Sequence, residues 1–529
     1  MAKAAQKLIA TKPTLRKFPP FYDSELVVGL VGRIGVEMDK VISVVTDAAG
    51  ALNYDVLHIK LTKSIPDIPF LPKVYQTPIE RKYNSYIDAC NKLREQTKHQ
   101  EIMALLAILE IQKHRKSKGG PDQPAKRTLY IVDQLKRPEE ITLLRSIYGS
   151  LFVQISCHSP LEKRKAALVD KIAEAHKSSK SHEKWAATAD ELIKRDDSED
   201  EIVTGQRVAD TFPMADLIVD SSNLQSTKEI ISRFFHSFFG DFTISPTQEE
   251  YGMNLATNAG LRSLDLSRQV GVAILSTEGE VACLGCNEVP KAGGGTYWTG
   301  DPHDARDYTK AYDYNTIRKR GMLIDVVVRL KDHDLLAKTI SQMDEQQLEE
   351  KLFAKDMSKI RDAQILDSLE FGRAMHAEMN AITDAARNGR AIKNHRLFTT
   401  TFPCHNCAKH IVGAGIAEVF YLKPYPKSEA SILYPDSIAV DVEGKRENRV
   451  VFRQFTGISP RRYSQLFAKD RLKDSTGHII KWNQKTAFPI AGVSAPTYID
   501  LEFSSLTIAT NKLPPRYNFL QKPRKTAKI

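Results

Sequence analysis

From about residue 24 to 240, short apolar runs alternate with longer stretches of helical spacing. The run "ELVVGLVG" is apolar and broken by glycine, and "VEMDKVISVVTDAAG" after it repeats its apolar positions at helical intervals. "YDVLHIKL", "TLYIVDQL", "LFVQISC" and "ADLIVD" read as further strands, whereas Cys90 to Lys113 and "EEITLLRSIYG" read as helices. Short apolar strands separated by helices predict a parallel sheet covered on both faces.

The pattern breaks near "FFGDFTISPTQEEYG". Thr247 with Glu250 three positions later is a capping box, which predicts a helix from there to about Ser263. "RQVGVAIL" and "EVACLGC" flank "STEGE" and predict a hairpin. Between about 293 and 369 lies a stretch rich in Gly, Asp and Tyr that turns into charged helix formers, read as an insertion. A helix beginning at "HAEMNAI", a strand "HRLFTTT", a helix "CHNCAKHIVGAGI" and a strand "AEVFYL" follow. The chain is therefore expected to divide into a first α/β domain at 24–240 and a second at 245–505, between basic tails at 1–23 and 506–529. No internal repeat is evident.

Composition narrows the class. The 529 residues are 42% hydrophobic and 27% charged, ordinary for a globular chain with two or more cores. No apolar run approaches the roughly 20 residues a membrane span needs, and the basic N-terminal stretch lacks the apolar segment of a signal peptide. Six cysteines are too few for a disulfide framework at this length, so a cytoplasmic protein with thiols free or on metal is expected. The formal charge of +11 is compatible with anionic partners such as nucleotides or nucleic acid, or with no more than a soluble basic surface.

The chemistry gathers in two places. His376 and Glu378 open one predicted helix; Cys404 and Cys407, after Pro403, open another. Twenty-seven residues separate His376 from Cys404, enough for a helix, a loop and a strand that return the chain to the same edge. One imidazole and two thiolates suit tetrahedral Zn²⁺ and leave a fourth position for water, whose pKa then falls towards roughly 7. Helix N-termini favour the thiolates. Glu378 is placed to move protons rather than to ligate. A lone helical His is usually a surface or core residue and a lone C-x-x-C has structural and redox readings, but H-x-E followed by P-C-x-x-C is the order found in zinc nucleobase deaminases. His405 and His410 lie nearby as possible fourth ligands of a closed site, and His405 is expected to point elsewhere. The second C-x-x-C, Cys283 and Cys286, sits on a strand without a helix start and reads better as buried hairpin thiols.

"SRQVGVAIL", "NEVP", "HAEMNAI", "TTFPCHNCAKHIVGAGI" and "AEVFYL" together resemble the deoxycytidylate deaminase family of the cytidine deaminase superfamily, over about 247–425. With the preceding domain, the chain resembles the bacterial anti-phage dCTP deaminases. The resemblance implies a P-loop kinase-like parallel-sheet domain followed by a cytidine-deaminase-like α/β/α domain. It implies that His376, Cys404 and Cys407 hold zinc, that Glu378 is the general acid and base, that Asn287 binds the sugar 3′-hydroxyl, that the backbone of Ala377 reads the base edge, and that Tyr421 lies near the substrate. The implied reaction is deamination of free dCTP or dCMP, depleting dCTP during phage replication, in a nucleotide-regulated homo-oligomer.

"GLVGRIGVEMDKV" follows a strand and opens a helix, the context of a phosphate-binding loop, with Gly29, Gly32 and Gly35 as its glycines and Asp133 in the place of a Walker-B carboxylate. The lysine and hydroxyl residue of that motif are missing: Val36 and Glu37 follow Gly35. Three readings stay open for the first domain: a sensor that binds a dNTP, RNA or another regulator without turnover, a scaffold without a ligand, or an active kinase. Two rivals stay open for the whole: a deaminase acting on tRNA or single-stranded DNA, and a non-catalytic zinc and nucleotide-binding regulator.

Overall fold

In this computed structural model the described residues are 23–510, apart from 121–122, 178–181, 200–201, 355–356, 358–359, 361–362, 426, 443, 445–447, 470–472, 474–475, 480 and 491–497. Nearly all of the expected N-terminal tail and residues 511–529 of the C-terminal one lie outside them. The chain forms two units, Met1–Pro246 together with Thr456–Ile529, and Thr247–Phe455.

In the first unit, β1 (Leu26–Gly32), β2 (Asp55–Lys60), β3 (Thr128–Leu135), β4 (Phe152–His158) and β5 (Leu217–Asp220) are all parallel. They lie in the order β5-β4-β1-β3-β2, and every residue of β1 is buried. This is why its sequence reads as a continuous apolar run rather than an alternating one. The helical stretch expected from Cys90 to Lys113 is two helices, Ile79–Thr97 and Ile102–Lys118, because Lys98 takes a left-handed conformation at φ 61° and ends the first. Helices Leu161–Ala175 and His182–Ser198 pack against each other through Leu168, Ile172 and Leu192.

The second unit holds β6 (Gly271–Leu275), β7 (Val281–Cys286), β8 (Arg396–Thr401), β9 (Glu418–Lys423), β10 (Ile438–Val440) and β11 (Val450–Gln454). Their order is β10-β11-β9-β8-β6-β7, antiparallel around β6 and parallel from β8 outward. The Thr247–Glu250 capping box is formed, and the helix it starts runs Gln248–Gly260. The insertion contributes the helix Tyr314–Asp332, which has no buried residue.

The expected second domain at 245–505 is cut short. From Thr456 the chain clusters with the first unit, where β12 (Gly457–Ile458) pairs antiparallel with β5. Arg462 Nε donates to the buried Asp216 at 3.0 Å and the Trp482 indole donates to the Phe239 carbonyl at 2.9 Å. The helix Tyr498–Thr510 is fixed by Glu502, which accepts from Arg115 Nη2 at 2.8 Å, while Arg115 Nε also reaches Glu25 at 2.9 Å. Leu506, expected in a solvated tail, is fully buried on this helix. No helix among the described residues is long and apolar enough to cross a membrane.

Candidate metal centre and active site

The two helices expected to carry the metal donors begin where the motifs place them. His376 occupies the N-cap position of the helix Ala377–Arg387, and Cys404 that of the helix His405–Gly413. Strands β6 and β8 pair side by side, which brings the two helix starts to one edge of the sheet. Asn380 pins the first helix by donating to the Cys286 carbonyl at the end of β7, at 2.7 Å. A two-way backbone bridge between Glu288 and Met375 holds the chain just before His376.

The donors converge. His376 Nδ1 lies 3.3 Å from the sulfur of Cys404 and 3.3 Å from that of Cys407. One ligand atom from each of the three residues falls within 4.8 Å of the others. Both cysteines are buried. Hydrogen bonds from Cys407 and His376 hold the Cys404 thiol well below the usual thiol range, and the bond to Cys404 lifts His376 to about 9. The bond to Cys404 and burial raise Cys407. A nitrogen and two sulfurs already gathered at helix N-termini fit Zn²⁺ by donor type and by spacing. Neither His405 nor His410 joins the trio, and among the described residues no further group of three such donors converges.

Glu378 sits in the first turn of the His376 helix and is 4% exposed. Burial raises its carboxyl, which shares a hydrogen bond with Cys407. It therefore stands beside the donor trio, protected from solvent. Ala377, between His376 and Glu378, is fully buried.

Two expected substrate residues are engaged within the fold. The Asn287 side chain accepts from the Val270 amide at 2.7 Å and donates to the Arg268 carbonyl at 2.8 Å, clamping the entry to β6. Tyr421 packs its ring on Phe402 inside the core and donates its hydroxyl to Asp441 at 2.7 Å, because β9 turns that position inward. Glu288 and Arg306 were not legible as a site. Arg306, 2% exposed, holds Asp304 at 2.6 Å and lies 3.8 Å from Glu288, whose carboxylate also accepts the Leu264 amide. The only sequence signal for this support is "NEVP" itself. Cys283 and Cys286 are both buried on β7, as hairpin thiols.

The glycines of the first unit divide. Gly29 is not in the loop: it lies inside β1, and a Cβ there would meet Leu135 at 2.6 Å and Phe152 at 2.8 Å, so it serves packing. Gly32, Gly35 and Asp133 do line one cavity. Gly35 has φ 86°, which a side chain would strain, and its Cα faces the Arg164 carbonyl.

Residues 246–423 match the family model of the cytidine and deoxycytidylate deaminase zinc-binding region. The deoxycytidylate deaminase of Enterobacteria phage T2 is 44% identical over 55 residues, 10% of this chain and 29% of its own length. A probable deoxycytidylate deaminase of Drosophila melanogaster is 38% identical over 87 residues, 15% of this chain and 42% of its own. The chain thus spans less than half the length of the curated relatives it matches. Among solved structures, the dCMP deaminase from the cyanophage S-TIM5 matches at 16% identity and a TM-score of 0.22, over 40% of this chain and 99% of that one. The matched segment contains all three donors and Glu378, and zinc is the metal that both the family model and the donor set assign to it.

Proposed function

We propose that Thr247–Phe455 deaminates the cytosine ring of a free deoxycytidine nucleotide, dCMP or dCTP, to the uracil nucleotide and ammonia. The observation that carries this reading is the convergence of His376, Cys404 and Cys407 with the buried Glu378 beside Cys407. When bound, zinc supplies a Lewis acid that makes water nucleophilic near neutral pH. Glu378 takes one proton from the attacking water and delivers it to ring N3, then passes the second to the C4 amino group. The C4–N bond breaks, ammonia leaves, and the water oxygen stays on C4 as the carbonyl. The backbone of Ala377 is assigned to the base edge. Asn287 is assigned to the sugar hydroxyl, which its carbonyl oxygen can meet only with the lone pair not taken by Val270.

The domain division fits a regulated enzyme, with the first unit as a P-loop kinase-like regulatory domain and a homo-oligomer as the expected assembly. Draining dCTP would limit phage replication, and the same drain would harm the host if unrestrained. This supports a regulatory role for the first unit in a defence enzyme.

The test is ammonia release from dCMP, dCTP and a cytosine-containing single-stranded oligonucleotide, using the full zinc-loaded chain. Turnover of the mononucleotides is expected. The oligonucleotide belongs in the assay because Trp298 is 55% exposed with the Arg262 guanidinium 3.6 Å from its ring centre, a pair able to stack a base. Deamination of the oligonucleotide alone would replace the proposed substrate class.

A further inference from the structure

The opening of the insertion is fastened beside the metal donors. Its segment Asp304–Asp307 reaches both strands of the backbone bridge between Glu288 and Met375. In that bridge the Met375 amide donates to the Glu288 carbonyl at 3.0 Å, and the Glu288 amide donates back at 3.2 Å. His376 is the next residue, so the bridge sets the point from which its imidazole leaves the backbone.

Arg306 holds the Glu288 strand. The Glu288 carboxylate is buried, one oxygen accepting the Val289 amide at 2.9 Å and the other the Leu264 amide at 3.0 Å. Two neutral donors leave a buried anion without a countercharge, which is costly. The Arg306 guanidinium supplies that charge, itself buried and 3.8 Å away. It is fixed in turn by a fork onto Asp304, with Nε at 3.0 Å and Nη2 at 2.6 Å. Arg373 holds the other strand. Three residues before His376, it donates to the Asp307 carboxylate and, at 3.0 Å, to the Ala305 carbonyl. The same short segment is thus buckled to Glu288 by one arginine and to the approach to His376 by the other. The core of the insertion does not explain this: its helix Tyr314–Asp332 has no buried residue.

We propose that Arg306 and Arg373 are positioning residues for the metal centre. By clamping Asp304–Asp307 across the bridge, they set His376 against Cys404 and Cys407. They act through the backbone of Glu288 and Met375, not on the metal or the substrate. Outer partners of this kind orient a ligand and raise metal affinity. The proposal rests on the metal centre and not on the substrate assigned above.

Metal binding by the full chain tests this without substrate. Competition with a chelating dye reads the Zn²⁺ affinity, and the ligand-field absorption of the Co²⁺-loaded protein reads the donor geometry. Metal uptake by the unaltered chain, measured first, separates failure of the centre itself from failure of this support. Arg306→Ala is expected to weaken Zn²⁺ by about tenfold to 100-fold and to alter the Co²⁺ spectrum. Arg373→Ala, at a partly exposed position, should weaken Zn²⁺ by about tenfold, and it decides the matter if Arg306→Ala does not fold. Arg320→Ala removes an ion pair with Glu349 elsewhere in the insertion and should leave both readings unchanged. Unchanged Zn²⁺ affinity and Co²⁺ spectrum in either folded variant, Arg306→Ala or Arg373→Ala, would overturn the proposal. So would an equal loss in Arg320→Ala, which would trace the effect to the insertion as a whole.

Discussion

Gly285 of β7 lies directly against Ala377, the residue between His376 and Glu378. A Cβ at Gly285 would collide with the Ala377 carbonyl oxygen and lie 2.7 Å from the Ala381 amide nitrogen. The first turn of the helix Ala377–Arg387 can approach the strand only because that position has no side chain. Gly285→Ala should push this turn outward, costing about 1–3 kcal/mol of stability. Turnover should fall by about 100-fold if the donors shift by about an ångström. Zinc content, denaturation midpoint and turnover measured together check it; unchanged turnover would mean that the helix start is not held by this contact.

Glu378 is the residue whose loss should separate chemistry from metal binding. Glu378→Gln keeps the volume and removes the proton carrier. Zinc content and melting temperature should stay as in the unaltered chain, while deamination falls by about 100-fold to 10,000-fold. Retained turnover would remove Glu378 from the proposed mechanism.

The three donors act as one site, so each should be needed for metal. Removing zinc with a chelator should abolish deamination, and added Zn²⁺ should restore it. Cys407→Ala should neither hold stoichiometric zinc nor recover on its addition. Atomic emission and ammonia release read the two effects separately. Full activity in metal-free protein would defeat the hydrolytic reading.

Local chemistry was the legible part. The capping box at Thr247, the hairpin around "STEGE" and the helices opening at His376 and Cys404 rest on contacts a few residues apart, and the structure has them as read. The return of Thr456–Thr510 to the first unit was not legible. It depends on Arg462 meeting Asp216 and Glu502 meeting Arg115, pairs separated by 246 and 387 positions. The same holds for Asp196, which reaches the Ile34 amide from 162 positions away. No pattern of spacing announces such partners, since a buried charge and a surface charge look alike in sequence. Gly29 shows the opposite error: the motif drew it into a loop, whereas Leu135 and Phe152 fill the space above it.

The Arg115 cluster should be the anchor of the C-terminal helix. Arg115, Glu25 and Glu502 are all essentially without solvent exposure, and the Tyr498 hydroxyl donates to Glu25 at 3.1 Å. Arg115→Ala leaves two carboxylates buried with no cation between them. A loss of about 3–5 kcal/mol is expected in urea denaturation, with earlier proteolysis near 498–510. A loss below about 1 kcal/mol would show that the carboxylates find water or other partners.

Cys90 makes alkaline stability testable. The thiol sits on the helix Ile79–Thr97, and burial pushes it up from 9.0 to about 11. Between those values the unfolded chain has released the proton and the folded chain still holds it. The unfolded state then binds fewer protons, so stability falls as pH rises. The contribution is fully present below about pH 9 and gone above about pH 11, a difference of about 2–3 kcal/mol. Lysines and tyrosines titrate in the same range, so the comparison must be with Cys90→Ala. The stability advantage of the unaltered chain over that variant should shrink by this amount across the interval, read from urea midpoints at several pH values. Parallel pH profiles for the two proteins would mean that the thiol is solvated or already ionised in the folded state.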